Sequence, residues 1–288
     1  MFTIKQVKKI IKEEVSTHDV DIIIVNKLEY YRSDFFKSNI KIKRIKEKIQ
    51  YIKYPFMYSG LYSEESNLII IFINNCKAPL SINVKHKFTS RDIINTLRIL
   101  YHEIKHLKQS NLKYNQPMTP VEFIYEMEDI ITNYNPKYYD LKHDEFFIEI
   151  EANVYASYEL NEFATKNNIV DKELLNFIAS LQNKYKNRLN KYDFYKQFSE
   201  FIKCCKKYGL YKNENNKIVK MIYDNEGNFK SLNEIILDEE FKKLDIRIKT
   251  LVIGSLIKTG YLNIEKCPKI NIIADNHGNS LVKKLSKY

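Results

Sequence analysis

The stretch Tyr101-His102-Glu103-Ile104-Lys105-His106 sets two histidines four positions apart inside a run whose apolar residues recur with helical period. Ile93, Ile94, Leu97, Leu100, Tyr101, Ile104 and Leu107 form one stripe, and Thr89 with Asp92 supplies a capping-box start. The pattern predicts an amphipathic helix from Thr89 to near Ser110. Residues four apart on a helix stand one turn above each other, so His102 and His106 present two imidazoles on one face, where both can reach a single metal ion. Glu103 is offset from that face. It is poorly placed as a ligand, yet its carboxylate can reach a water molecule at the ion. A chain built around such a pair must bury the helix on its apolar stripe and leave the histidines at the lip of a cleft.

A mononuclear zinc site that works on water needs three protein ligands and one open position, so a later element should supply another carboxylate or imidazole. A helix expected from around Asp144 to about Lys166 carries Glu149-Ile150-Glu151-Ala152-Asn153. Glu149 and Asn153 lie one turn apart on the same face. The first can bind the ion, and the second can accept a hydrogen bond from the non-ligating nitrogen of a histidine. Ala152 and Ala156 are small enough to let this helix approach the first closely. Glu145, Glu151 and Glu159 compete with Glu149 for the ligand role, Glu151 foremost among them.

The chain resembles the gluzincin metallopeptidases, and among them the ImmA/IrrE type. In that group HExxH on one helix is followed by a Glu ligand in a segment resembling E-x-E-A-N/D-x-F/Y-A, and Glu149 to Ala156 reads E-I-E-A-N-V-Y-A. The likeness spans Tyr62 to Leu160. It implies that His102, His106 and Glu149 bind one zinc ion per chain and that Glu103 is the catalytic base. It implies too that the strand around Leu68 to Asn74 precedes the active helix and offers its edge to an extended protein or peptide substrate. In this chain the position before the second histidine, frequently Gly in that group, is Lys105. The stretch from His106 to Glu149 is longer than usual there, with a helix opened by the capping box Thr119-Pro120-Val121-Glu122 inserted into it.

These roles define a reaction: Glu103 takes a proton from a zinc-bound water as it attacks the scissile carbonyl, then returns it to the leaving amine. His143, Tyr155 and Tyr158 are candidate donors to the transition state. The resemblance suggests a regulatory substrate such as a repressor of a mobile element; a toxin-like protease would carry the same motif.

Bulk properties narrow the alternatives. The 288 residues carry 47 Lys plus Arg against 36 Asp plus Glu, formally +11. The excess is uneven, because residues 61–160 are net acidic and both flanks are net basic. The cluster Lys41, Lys43, Arg44, Lys46, Lys48 supports a second expectation: a nucleic-acid-binding or protein-interaction module whose metal site is vestigial or structural. No helix-turn-helix, zinc-finger or RRM signature accompanies it. Four cysteines without CxxC spacing argue against a disulfide framework and fit a reducing cytoplasm. The longest apolar run, Leu68 to Ile73, is too short to span a bilayer.

The expected class is α+β. A zincin-like core over residues 1–166 combines a small sheet (Asp21–Asn26, Asn67–Asn74) with the active-site helix and the Glu-ligand helix. A mostly helical region, 167–288, follows, with helices over 171–186, 193–208 and 244–259. Its two DNxGN segments, at 223–228 and 274–279, read as turns between short strands.

Overall fold

A strand of five consecutive apolar residues, Leu68–Phe72, is buried along its whole length, as an unbroken Leu-Ile-Ile-Ile-Phe run requires when both faces of a strand are covered. In the computed structural model of the chain it is the centre of a three-stranded sheet. The structure describes residues 2–25, 59–64, 67–72, 88–112, 119–212, 216–244, 246–258 and 260–261. In chain order the sheet strands are β1 (Asp21–Val25), β2 (Gly60–Ser63) and β3 (Leu68–Phe72), arranged β1-β3-β2. β1 runs parallel to β3, with Asp21 opposite Leu68 and Val25 opposite Phe72. β2 runs antiparallel to it, with Gly60 opposite Ile71. The expectation that the Leu68–Asn74 strand has an open edge is corrected over its described residues, Leu68–Phe72, because β1 and β2 occupy both edges of β3.

Helices make up most of the remainder: α1 (Ile4–Val15), α2 (Ser90–Leu112), α3 (Pro120–Tyr134), α4 (Pro136–Lys142), α5 (Phe147–Lys166), α6 (Lys172–Leu189), α7 (Phe194–Tyr208), α8 (Lys217–Ile222), α9 (Leu232–Leu237), α10 (Glu239–Lys243) and α11 (Ile246–Lys258). A 3₁₀ turn, His143–Glu145, precedes α5. The class is thus α-rich with a small sheet. α1 lies outside the expected elements. Its lysines mask the period, yet Val7, Ile11 and Val15 are buried four apart, and Thr3 and Gln6 close a capping box. Asp224 accepts from the amides of Glu226 and Asn228, so 223–228 is a turn closed by one bridge, Tyr223 to Phe229. The element before it is the helix α8, not a strand. The 274–279 turn and the Lys41–Lys48 cluster lie outside the described residues.

The chain divides into two compact units that interleave in sequence: Met1–Ser110 with Ile150–Asn190, and Asn111–Glu149 with Lys191–Tyr288. This replaces the linear division at residue 166, since α6 belongs with the sheet and the segment after α2 belongs with the C-terminal helices. In the first unit α1, β3, α2, α5 and α6 share a core that includes Ile11, Ile69, Ile71, Leu97, Ile104, Ala156, Leu160 and Ile178. In the second, Phe123, Phe146, Phe198, Phe201, Ile222 and Ile253 belong to a separate core. The boundary falls inside α5, immediately after Glu149, so one continuous helix carries that residue. Among the described residues no helix is long and apolar enough to cross a membrane.

Candidate metal centre

α2 forms where its capping box and stripe predict. The Asp92 amide donates to Thr89 Oγ1 (3.1 Å) and the Thr89 amide to Asp92 Oδ2 (2.8 Å), satisfying two orphan donors of the first turn. Ile94, Leu97, Leu100 and Ile104 are buried, each contributing about 1.5–3 kcal/mol by leaving water. With that face fixed, the four-residue offset turns His102 and His106 toward each other. Their Nε2 atoms are 3.0 Å apart, and the rings meet edge to face at 87° with centroids 4.6 Å apart.

α5 docks on α2 through polar contacts along one side. Lys105 Nζ pairs with Glu151 Oε1 at 2.9 Å, Lys108 Nζ donates to the Tyr155 hydroxyl at 2.6 Å, and Arg98 Nη1 donates to Asn153 Oδ1 at 3.4 Å. Ala152 and Ala156 are fully buried. One turn before Asn153, Glu149 is also buried, at 4% exposure. His102, His106 and Glu149 each offer a ligand atom, and these atoms lie within 4.8 Å of one another.

The donor set suits zinc. Two imidazole nitrogens and one carboxylate oxygen are borderline-soft and hard donors of the kind a three-ligand zinc site uses. Bonds of about 2.0–2.1 Å around a tetrahedral ion place ligand atoms roughly 3.3 Å apart, within reach of the separations here. Calcium and magnesium would demand more oxygen ligands than this group supplies.

The turn bearing Glu149 is held by the segment between the two motifs. Buried Glu128 of α3 accepts from the amides of Phe147 (2.8 Å) and Ile148 (3.0 Å), the first donors of α5, and from the Tyr192 hydroxyl (2.9 Å). Burial pushes its carboxyl up to about 8, against the opposing pull of the two amides and the hydroxyl. On the Glu149 side chain, Tyr139 donates to Oε1 at 2.7 Å and His143 Nε2 lies 3.3 Å from the same oxygen. The stretch between the two motifs thus carries residues that hold the first turn of α5 and Glu149 itself.

Glu103 is 7% exposed and stands outside the converging donors. It lies against Gly60 of β2. A Cβ on Gly60 would meet Glu103 Oε1 at 2.8 Å, Glu103 Cγ at 3.0 Å and Ile99 Cγ2 at 2.6 Å, so glycine is what leaves room for this carboxylate.

The rival and accessory residues fall as follows. Glu151 joins Lys105 and Gln109 rather than the donor group. Glu145 pairs with Lys142 at 3.1 Å and with Lys196. Asn153 meets Arg98, and the acceptor facing His106 Nδ1 is instead Gln109 Oε1 at 2.7 Å. His143 reaches the Glu149 carboxylate. Tyr155 holds its hydroxyl toward Lys108 and Glu159, and burial raises its pKa above the usual phenol range. Tyr158 is 52% exposed. Gln109, Gly60, Tyr139 and Glu128 have no motif of their own. Compared with protein-family models, curated proteins and solved structures, the chain matches none.

Proposed function

We propose that this chain is a zinc-dependent endopeptidase of gluzincin type that hydrolyses a peptide bond in a protein substrate. The convergence of His102, His106 and Glu149, two segments apart in sequence, is the observation that carries the reading. Its support is chemical: the HExxH offset, a third carboxylate from a later helix, and a buried glutamate beside the two histidines that is not itself a ligand.

His102 and His106 would hold the ion through ring nitrogens and Glu149 through its carboxylate, whose Oε1 accepts from Tyr139. Zinc in that triad supplies Lewis-acid polarisation of a carbonyl and lowers the pKa of water toward about 7. Glu103 accepts the proton of the attacking water as its oxygen bonds to the scissile carbon. The C–N bond then breaks, and Glu103 returns the proton to the leaving nitrogen. Burial of Glu103 against Gly60 restricts competing water and fixes where that proton is held.

The test uses a mixed library of internally quenched peptides with zinc-loaded protein. Wild type cleaves members of the library, and Glu103→Gln binds equal zinc without cleaving. A Glu103→Gln protein that cleaves at the wild-type rate contradicts the assignment.

A further inference from the structure

His106, Gln109, Glu151 and Lys105 form an unbroken chain of polar contacts joining α2 to α5. Gln109 Oε1 lies 2.7 Å from His106 Nδ1, Gln109 Nε2 donates to Glu151 Oε2 at 2.9 Å, and Glu151 Oε1 pairs with Lys105 at 2.9 Å. Gln109 is fully buried, and the Lys105 and Glu151 side chains are 14% and 25% exposed.

The chemistry of this chain has one direction. A carboxylate accepts only, so Glu151 must face the amide nitrogen of Gln109. That leaves the amide oxygen facing His106, and an oxygen there accepts only from a protonated Nδ1. A neutral imidazole protonated at Nδ1 carries its lone pair on Nε2, the atom turned toward His102 and the donor group. Lys105 neutralises Glu151 and, with Gln109, holds that carboxylate in the relay. Lys105 stands where glycine is frequent in the resembling family, and here it has a partner. Asn153, one turn beyond Glu149, faces Arg98 instead.

We infer that Gln109, oriented by the Glu151–Lys105 pair, is a positioning residue that fixes His106 in its metal-ligating tautomer. This rests on the zinc reading for its purpose, though the tautomer itself exists without metal. Partners of this kind contribute about 10–100-fold to metal affinity.

The experiment records histidine ¹⁵N–¹H correlation spectra of the full-length metal-free protein above the histidine pKa, together with zinc affinity by chelator competition. Wild type shows His106 protonated at Nδ1. Gln109→Leu shifts His106 toward the Nε2-protonated form and weakens zinc binding about 10–100-fold. Gln109→Glu alone sets two carboxylates together and weakens binding as well. The double exchange Gln109→Glu with Glu151→Gln restores every hydrogen bond with the roles reversed, so it recovers both tautomer and affinity. That recovery separates positioning from a loss of folding. A wild-type His106 protonated at Nε2, or a Gln109→Leu protein with unchanged tautomer and affinity, overturns the inference. If wild type binds no zinc but the tautomer still follows Gln109, the relay stands and the zinc reading fails.

Discussion

Tyr139 donates its hydroxyl to Glu149 Oε1 across 2.7 Å, so the third donor of the cluster is aimed by a residue from the stretch that separates the two motifs. A carboxylate held by a fixed hydroxyl has fewer orientations to lose when it takes up a metal ion. Tyr139→Phe removes the hydrogen bond and keeps the ring. Zinc affinity, measured by chelator competition, should fall by about tenfold while the fold is retained. Unchanged affinity would mean that Glu149 is oriented by other contacts.

The Gly60 contact predicts a separation of binding from catalysis. Gly60→Ala inserts a methyl where Glu103 Oε1 lies at 2.8 Å and Ile99 Cγ2 at 2.6 Å. Overpacking of this kind costs about 1–3 kcal/mol, and the displaced group includes the proposed base. Peptide hydrolysis should fall at least tenfold while zinc stoichiometry stays at the wild-type value. Parallel losses of zinc and activity would contradict the separation.

Glu128 predicts a pH dependence of stability. Its carboxyl sits at about 8 in the folded chain against an ordinary value of 4.5, so the folded state holds a proton that the unfolded state has released between those limits. The contribution is present in full below the unfolded value and is lost as pH rises through about 8. Melting temperature should therefore decline from pH 5 to pH 8 through this group, and Glu128→Gln should flatten the decline. A Glu128→Gln profile parallel to wild type would remove Glu128 as the cause.

Leu97 and Ile104 are fully buried on the stripe that fixes the rotation of α2. Leu97→Ala or Ile104→Ala should cost about 2–5 kcal/mol in denaturant unfolding. A loss below 1 kcal/mol would mean that α2 is held chiefly by its polar contacts to α5.

What could be read in advance depended on how local its cause is. α2 was legible because cap, stripe and histidine pair all lie within one helix. The capping box at Thr119 and Glu122 opens α3 for the same reason. The placement of Glu149 beside the histidines agrees with its E-I-E-A-N context. The partner of His106 was not legible: Asn153 had the right spacing from Glu149, but Arg98 takes its oxygen and Gln109 reaches the ring from the next turn of α2. Gly60 belongs to a short strand far from α2 in sequence, and its role exists only through the approach of Glu103. The start of α5 is held by Glu128, nineteen residues upstream, and no local rule reaches that far. The division at residue 166 failed similarly, because α5 and α6 return to the core of the N-terminal sheet.

Elemental analysis of the purified protein tests the three-ligand zinc site most directly. Wild type should carry one zinc per chain, Glu103→Gln should retain it, and His102→Ala and Glu149→Ala should lose most of it. Wild type without zinc after exposure to excess ion, or Glu149→Ala with undiminished zinc, would contradict the account.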